Sequence, residues 1–557
     1  MSVVESNENN LKVKEKGSDS QLERAGSSSG SGSETLSDFG GESTLPPPPQ
    51  LSEHEQRKLY RKLDLRLMPI LAVMYLVSFL DRANLGAASR RTSVDQLLMT
   101  MDVGNARLQG LESQLELTGN KFNIALACPI LLCLVSTNRT DRRCTLFRTA
   151  SLNVLQTWSS RNSVPRGSLC PPFVVECSST ACLRWLPGIT IIWGIIMTLM
   201  SLVKTYPQLV GTRIGLGVTE AGLFPGVVYY LTLWYPRHML QWRIGLFFGA
   251  ASLAGAFGGA LAYGISFMNG EGLATIVVGV VAFFVLVDFP VTATFLTPHE
   301  RSYIVWRKKY DNSSVGEEEH FEMRHLYEAL TDWQVWGHMF VYMAVITNLY
   351  GITLFLPTII ATFGHSPAIS NLLTVPPYVV ATFVLFNFAY WSDRLKIRFP
   401  FIIAGFLSNM TGYAINISTA SSAMLLGVKY FGTFFCVTGA YAAVPGIVAW
   451  TGNNLSGQYK RGIGMALQIG IGHFGGAFAS NMFRTQDKPR FLVGHGCEIL
   501  FAAIGLISTS TVALVSHRIN LKREAIMRAA AERGEKPYSD KVLREMGDRA
   551  PDFRYTL

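Results

Sequence analysis

Residues 207–234 read PQLVGTRIGLGVTEAGLFPGVVYYLTLW, an apolar run with one cation, Arg213, and one acid, Glu220. A helix needs ~20 apolar residues to cross about 30 Å of hydrocarbon, so the run is long enough to span a bilayer. Its two charges stand seven positions apart, nearly two helical turns, and project from about the same face. An ionisable side chain inside a membrane costs roughly 2.5–3.5 kcal/mol on insertion scales, so a pair kept there normally faces a cavity and has a task. Apolar neighbours (Gly217, Ala221, Gly222, Leu223) favour a protonated Glu220, whereas Arg213 favours the carboxylate. That tension suits a proton-coupled carrier; an ion pair that only ties helices together is the structural alternative.

Segments of the same kind recur at 67–86, 185–203, 242–267 and 272–290, and past a charged middle at 333–361, 373–391, 400–418, 423–450, 461–483 and 491–516. Residues 1–65, 291–332 and 519–557 hold 19, 13 and 16 charged side chains, while 49% of the chain is hydrophobic and 16% charged. Such a distribution excludes a string of soluble domains and predicts an all-α membrane protein. The plan is a disordered cytosolic tail at 1–65, an amino-terminal helix bundle at 66–290, a cytosolic middle loop at 291–332, a carboxy-terminal bundle at 333–517 and a cytosolic tail at 518–557. Residues 1–65 lack the apolar stretch of a cleavable signal peptide, so the first hydrophobic segment is expected to act as its own insertion signal. Eleven apolar segments would leave the ends on opposite sides. The short basic loops (Arg237 with Arg243; Arg394, Lys396 and Arg398; Lys460 with Arg461; Arg518) instead fit twelve spans with both ends in the cytosol.

The missing second span is sought between 87 and 184, where Ile124–Val135 is short and interrupted by Pro129. Six of the eight Cys fall there, from Cys128 to Cys182, without helical or strand periodicity. Their spacings are irregular and no His interrupts them, which argues against zinc, and a cytosolic position argues against disulfides. Residues 87–103 and 127–183 are therefore anomalous within the amino-terminal bundle.

Asp81 and Arg82, near the outer end of the first span, are the other intramembrane charges; snorkelling to the interface is their structural alternative. Lys429 reads as a snorkelling residue, and His338, His365, His473 and His495 as packed or interfacial. Gly249, Gly255, Gly258, Gly259 and Gly264, and Gly470, Gly472, Gly475 and Gly476, let helices approach closely, as static packing and sliding bundles both require. Ser392-Asp393-Arg394 with Arg398 ends a span and reads as a turn that pairs charges with helix ends, a gate latch. No phosphate-binding loop is present, so an ion gradient must supply the energy.

These residues carry a resemblance. Leu63–Leu80 leading into Asp81-Arg82-Ala-Asn-Leu-Gly86, and Arg213-Ile-Gly-Leu-Gly217-Val-Thr-Glu220-Ala-Gly222-Leu-Phe-Pro225-Gly226 followed by Trp234-Tyr-Pro-Arg237, resemble the fungal anion:cation symporters of the major facilitator superfamily, which include allantoate and nicotinate permeases. Trp450-Thr-Gly-Asn453-Asn454 with Gly457 and Lys460-Arg461, and Asp487-Lys-Pro489 with Gly494-His495, are similar to that family's late motifs. The resemblance implies the major facilitator fold, nominally twelve transmembrane helices in two six-helix bundles, with alternating access and proton-coupled uptake of a small organic anion. It places the substrate carboxylate on Arg82, coupling on Arg213 and Glu220, and a substrate-lining aromatic on Tyr350. Together with the reading of the charges, the expected site has Arg82, Arg213 and Tyr350 for substrate, Glu220 and Asp81 for coupling, and Asp393, Arg394, Asn453, Asn454 and Arg461 in gating or structural roles. The family's pattern is interrupted by Ala87–Val103, replaced between Ala127 and Leu183, and shortened between Met268 and Glu271.

The expected function is thus a secondary active transporter for nicotinate, allantoate or a similar carboxylate, in the plasma membrane. The expected partners are the organic anion, protons and the lipid bilayer, with no nucleic acid, cofactor or metal. Alternatives are a non-transporting membrane sensor of an organic anion, or an inactive chain from a mispredicted gene. No paired His, metal cluster or nucleophile-base arrangement supports an enzyme.

Overall fold

The computed structural model describes residues 50–83, 181–200, 205–220, 222–265, 271–286, 293–311, 323–361, 367–419, 426–483 and 490–534, with positions 290, 363–364, 487, 538–539, 542–543 and 546–557. In the amino half, α1 spans Glu53–Ala83, α2 Ala181–Met200, α3 Tyr206–Glu220, α4 Leu223–Trp234, α5 Leu240–Ile265 and α6 Glu271–Val285. The middle segment holds α7 (Pro298–Lys309) and α8 (Met323–Thr331). The carboxy half comprises α9 (Trp333–Ala361), α10 (Pro367–Leu372), α11 (Val375–Leu395), α12 (Phe399–Ser418), α13 (Leu426–Asn454), α14 (Gln458–Gly472), α15 (Phe474–Met482) and α16 (Leu492–Glu532). No strand occurs among the described residues. Helices satisfy every backbone polar group internally, the condition for crossing hydrocarbon. The anomalous residues 87–103, and 127–180 with the candidate second span, lie outside the described residues.

The opening run at 207–234 is two helices rather than one. Helix α3 ends at Glu220, and α4 starts at Leu223 with Pro225 in its first turn, where a missing N–H costs least. Segment 461–483 is likewise divided, at His473 between α14 and α15.

Helix α1 begins at Glu53, inside the stretch read as a disordered tail. Ser52 donates its backbone N–H to Glu55 Oε2 (2.9 Å) and accepts the Glu55 N–H at Oγ (3.4 Å), a capping box. Leu59, Leu63, Leu67, Leu71 and Met74 then recur every three to four residues and are all buried. Lys62 ties this turn to α7 through Glu300 (2.9 Å).

Helix α16 carries the other departure. At 41 residues it is about 60 Å long, twice the hydrocarbon thickness, so position 517 falls inside a helix and not at its end. Residues 546–557 fold back onto it, burying Ala550, Phe553 and Tyr555.

The halves meet along α5 and α11. A Cβ on Gly245 would lie 2.9 Å from the Ala389 Cβ, and one on Gly249 2.6 Å from the Phe386 ring. Thr382 Oγ1 donates to Ser252 Oγ (2.8 Å), closing the seam with a polar contact between the same helices.

Candidate functional site

Asp81, Arg82, Arg213 and Glu220 are helical in backbone, at the end of α1 and along α3; their side chains lie outside what the structure describes. Tyr350 is half-buried in α9, its ring 6.3 Å from that of His473, edge to face, at the α14/α15 break. Sequence reading missed the aromatic layer between the halves. Tyr75, Phe224, Phe247 and Phe248 cluster in the amino half, and Phe248 lies 6.0 Å from Tyr441 of α13. Tyr441 faces Tyr378 edge-on at 5.5 Å, and its hydroxyl lies 3.0 Å from Thr353 Oγ1. Alternating small residues leave no periodicity that singles these rings out from core.

The end of the bundle where residues 546–557 fold back, the tail face, holds the gating candidates. Lys396 has a left-handed φ of 58°, which turns the chain sharply after α11. The turn brings Asp393 to Arg398 (2.6 Å) and lets Asp393 Oδ2 accept the Trp242 N–H (2.7 Å) from α5 of the opposite half. Arg398 is fully buried and donates to Gln241 Oε1 (2.9 Å) and the Arg237 carbonyl (3.1 Å). Arg243 forms a two-pronged pair with Asp64 at 3.0 and 2.8 Å, its guanidinium over the Tyr235 ring at 4.7 Å. Arg394 stands apart from this lattice: it bonds Tyr390 (3.0 Å) and lies against Trp391. Arg461 donates from Nε to the Leu455 carbonyl (3.0 Å). Asn453 is buried with both amide atoms unpartnered among the described residues.

The folded-back tail completes this face. Asn454 and Thr556 exchange two bonds, Nδ2 to the Thr556 carbonyl (3.2 Å) and the Thr556 N–H to Oδ1 (2.8 Å), while Trp450 Nε1 donates to the same carbonyl (2.7 Å). Asn520 repeats the exchange with Tyr555 at 2.8 and 2.9 Å. Arg523 holds the Asp548 and Phe553 carbonyls (2.8 and 3.0 Å). Arg237, from the amino half, donates to the Arg554 carbonyl (3.2 Å). Lys460 bridges Asp332 (2.6 Å) and Asp548 (2.7 Å), all three side chains buried. Burial raises the Asp548 carboxyl above its ordinary range, against the pull of Lys460.

Among the described residues α9, α13 and α16 are long and apolar enough to cross a membrane, and shorter apolar helices stand in the amino half; with two halves tied by charged turns at one end, the arrangement is that of a multi-pass membrane protein. The Major Facilitator Superfamily model matches residues 182–480, over half the length, and the chain belongs to that family, whose members are transporters and not enzymes. The chain is similar to the MFS-type transporter cnsO of Penicillium expansum, 29% identical over 529 residues, covering 90% of this chain and 91% of that one. It is 27% identical to the high-affinity nicotinic acid transporter of Saccharomyces cerevisiae, covering 91% of this chain and 86% of that protein. Among solved structures, the proton:xylose symporter XylE bound to 6-bromo-6-deoxy-D-glucose has the same fold, with a TM-score of 0.53 at 13% identity, covering 80% of this chain and 95% of that one.

Proposed function

We propose that this transporter imports a small organic anion together with protons, by alternating access, across a plasma membrane with both ends of the chain in the cytosol. The observation that carries the reading is the likeness to the nicotinic acid transporter over 86% of that protein's length. Arg82 holds the substrate carboxylate by paired, charge-assisted bonds, and Arg213 and Tyr350 complete the site. Glu220 takes a proton from outside and releases it inside, with Arg213 biasing the exchange and Asp81 beside the entry. The tail face is the cytosolic gate. Asp393, with Arg398, ties α11 to α5, Asn454 holds the tail across the opening, and Arg461 closes the turn between α13 and α14 on the Leu455 carbonyl. Opening inward requires these cross-half bonds to break together, and rocking of one half against the other does that along the α5/α11 seam.

The test is uptake of labelled nicotinate by transporter-deficient yeast expressing the chain, at acidic and neutral external pH, with unlabelled allantoate, pantothenate, biotin and tartrate as competitors. Uptake that rises in acid, collapses with a protonophore and yields to one competitor is the expected result. Uptake indifferent to pH and protonophore at full surface expression overturns the coupling. In addition, Glu220→Gln is expected to abolish accumulation while leaving substrate exchange, and a variant that still accumulates removes Glu220 from that role.

A further inference from the structure

Glu498 lies in the second turn of α16, inside an apolar stretch, and is fully buried. Neither carboxyl oxygen has a hydrogen-bond partner among the described residues, and no ion pair is formed there. Its niche is made by Gly351 of α9: a Cβ at that position would overlap Oε1 and lie 2.7 Å from the carboxyl carbon. Helix α9 thus leaves out a side chain where the acid sits. The titratable groups around it are Tyr413 from α12 and Cys436 from α13, both within its electrostatic reach, and His495 one turn earlier on α16. None supplies a fixed positive charge. The Tyr413 hydroxyl and His495 Nδ1 are themselves buried and unpartnered, and the two rings are 5.5 Å apart.

Buried polar atoms without partners are rare in native proteins, and each calls for an explanation such as a bound water or ion. Here four such atoms, on Tyr413, His495 and Glu498, gather in the interior of the carboxy half. Nothing in this setting returns the hydration that a carboxylate loses on burial. We propose that Glu498, with His495 and Tyr413, is a proton-binding site in the carboxy half, holding a proton in the conformation seen here and exchanging it when α9 moves off the carboxyl. The neighbour of its niche, Tyr350, is the candidate substrate-lining aromatic, so displacement of α9 by substrate is the event that would expose the acid. This site is additional to Glu220, on the other half, and it rests on the proton-coupled reading above.

The test uses dicyclohexylcarbodiimide, which attaches to protonated carboxyls in apolar surroundings, on yeast membranes containing the full chain, with the modified peptide read by mass spectrometry. Labelling of Glu498 that falls about tenfold from pH 5 to pH 8 is the expected result. Absence of labelling across that range, or labelling equal at both ends, overturns the proposal, the second by showing a proton that does not exchange. Gly351→Ala puts a methyl group where the carboxyl lies and is expected to change the labelling profile, and an unchanged profile contradicts the niche. In nicotinate uptake, Glu498→Gln is expected to flatten the acid stimulation. Wild-type uptake that ignores pH overturns the coupled reading itself, whereas acid-stimulated uptake with an unaltered Glu498→Gln profile overturns only the assignment of Glu498.

Discussion

Lys460 shows how much one side chain can hold on this scaffold. It bridges Asp332, at the start of α9, and Asp548, in the folded-back tail, at 2.6 and 2.7 Å with almost no solvent. Removing one member of a buried ion cluster leaves the others uncompensated and typically costs about 3–5 kcal/mol. Lys460→Met is therefore expected to lower the thermal midpoint of the detergent-solubilised protein. The triple variant with Asp332→Asn and Asp548→Asn is expected to recover most of the loss. A Lys460→Met protein as stable as wild type would mean that the tail does not depend on this contact.

At the level of elements, α12 and α13 pack backbone against backbone. A Cβ on Gly439 would lie 2.7 Å from the Asn409 backbone nitrogen and 2.5 Å from the Gly405 carbonyl, and backbone cannot yield as a side-chain tip can. Gly439→Ala is expected to cost about 1–3 kcal/mol, typical of overpacking, measured as a fall in thermal midpoint. The turn joining α4 to α5 makes a different prediction. Burial, and then the charge of Arg237, hold His238 down to about 4 from its ordinary 6.5; Arg398 and Lys396 act in the same direction and Asp311 opposes them. Between these two values the unfolded chain binds more protons than the folded one. The stabilising contribution is therefore complete above 6.5 and is lost as pH falls through about 4. His238→Gln is expected to flatten the decline in thermal midpoint on acidification, and a variant that declines like wild type rules His238 out.

For the whole molecule, the decisive feature is that residues 546–557 join both halves at one face. The tail bonds Asn454, Trp450, Asn520 and Arg523 in the carboxy half and Arg237 in the amino half. Deleting 547–557 is expected to raise the rate at which a membrane-impermeant maleimide modifies a cysteine placed by Asn454→Cys, applied from the tail side of inverted vesicles. An unchanged rate would show that the mouth is sealed without the tail. With Arg237→Ala, which removes the side-chain bond to the amino half, a smaller increase is expected.

Much of this architecture was legible without coordinates because a bilayer forces it. Apolar runs such as 242–267 and 333–361 have to be helices to satisfy their backbones in hydrocarbon. Family membership was legible because the runs around Arg213 and Asn454 carry a recognisable order of residues. The division of 207–234 into two helices was not legible, since Pro69, Pro187, Pro357 and Pro445 all stand inside continuous helices and Pro225 looks no different in sequence. Partnership was not legible. Asp393 bonds Trp242 across 151 residues and pairs with Arg398, while adjacent Arg394 turns to Tyr390. Glu498 passed unnoticed because one acid in an apolar segment says nothing of whether a cation or a glycine niche awaits it. The boundary at 517 fell inside α16 because charge patterning reports where a helix leaves the membrane and not where it stops. The sequence by itself determined the helices, the membrane and the family, which follow from local composition and order. The tertiary structure alone decided which charges meet, which acid is left alone and where the tail lies, because those contacts join residues too far apart along the chain for any local pattern to encode.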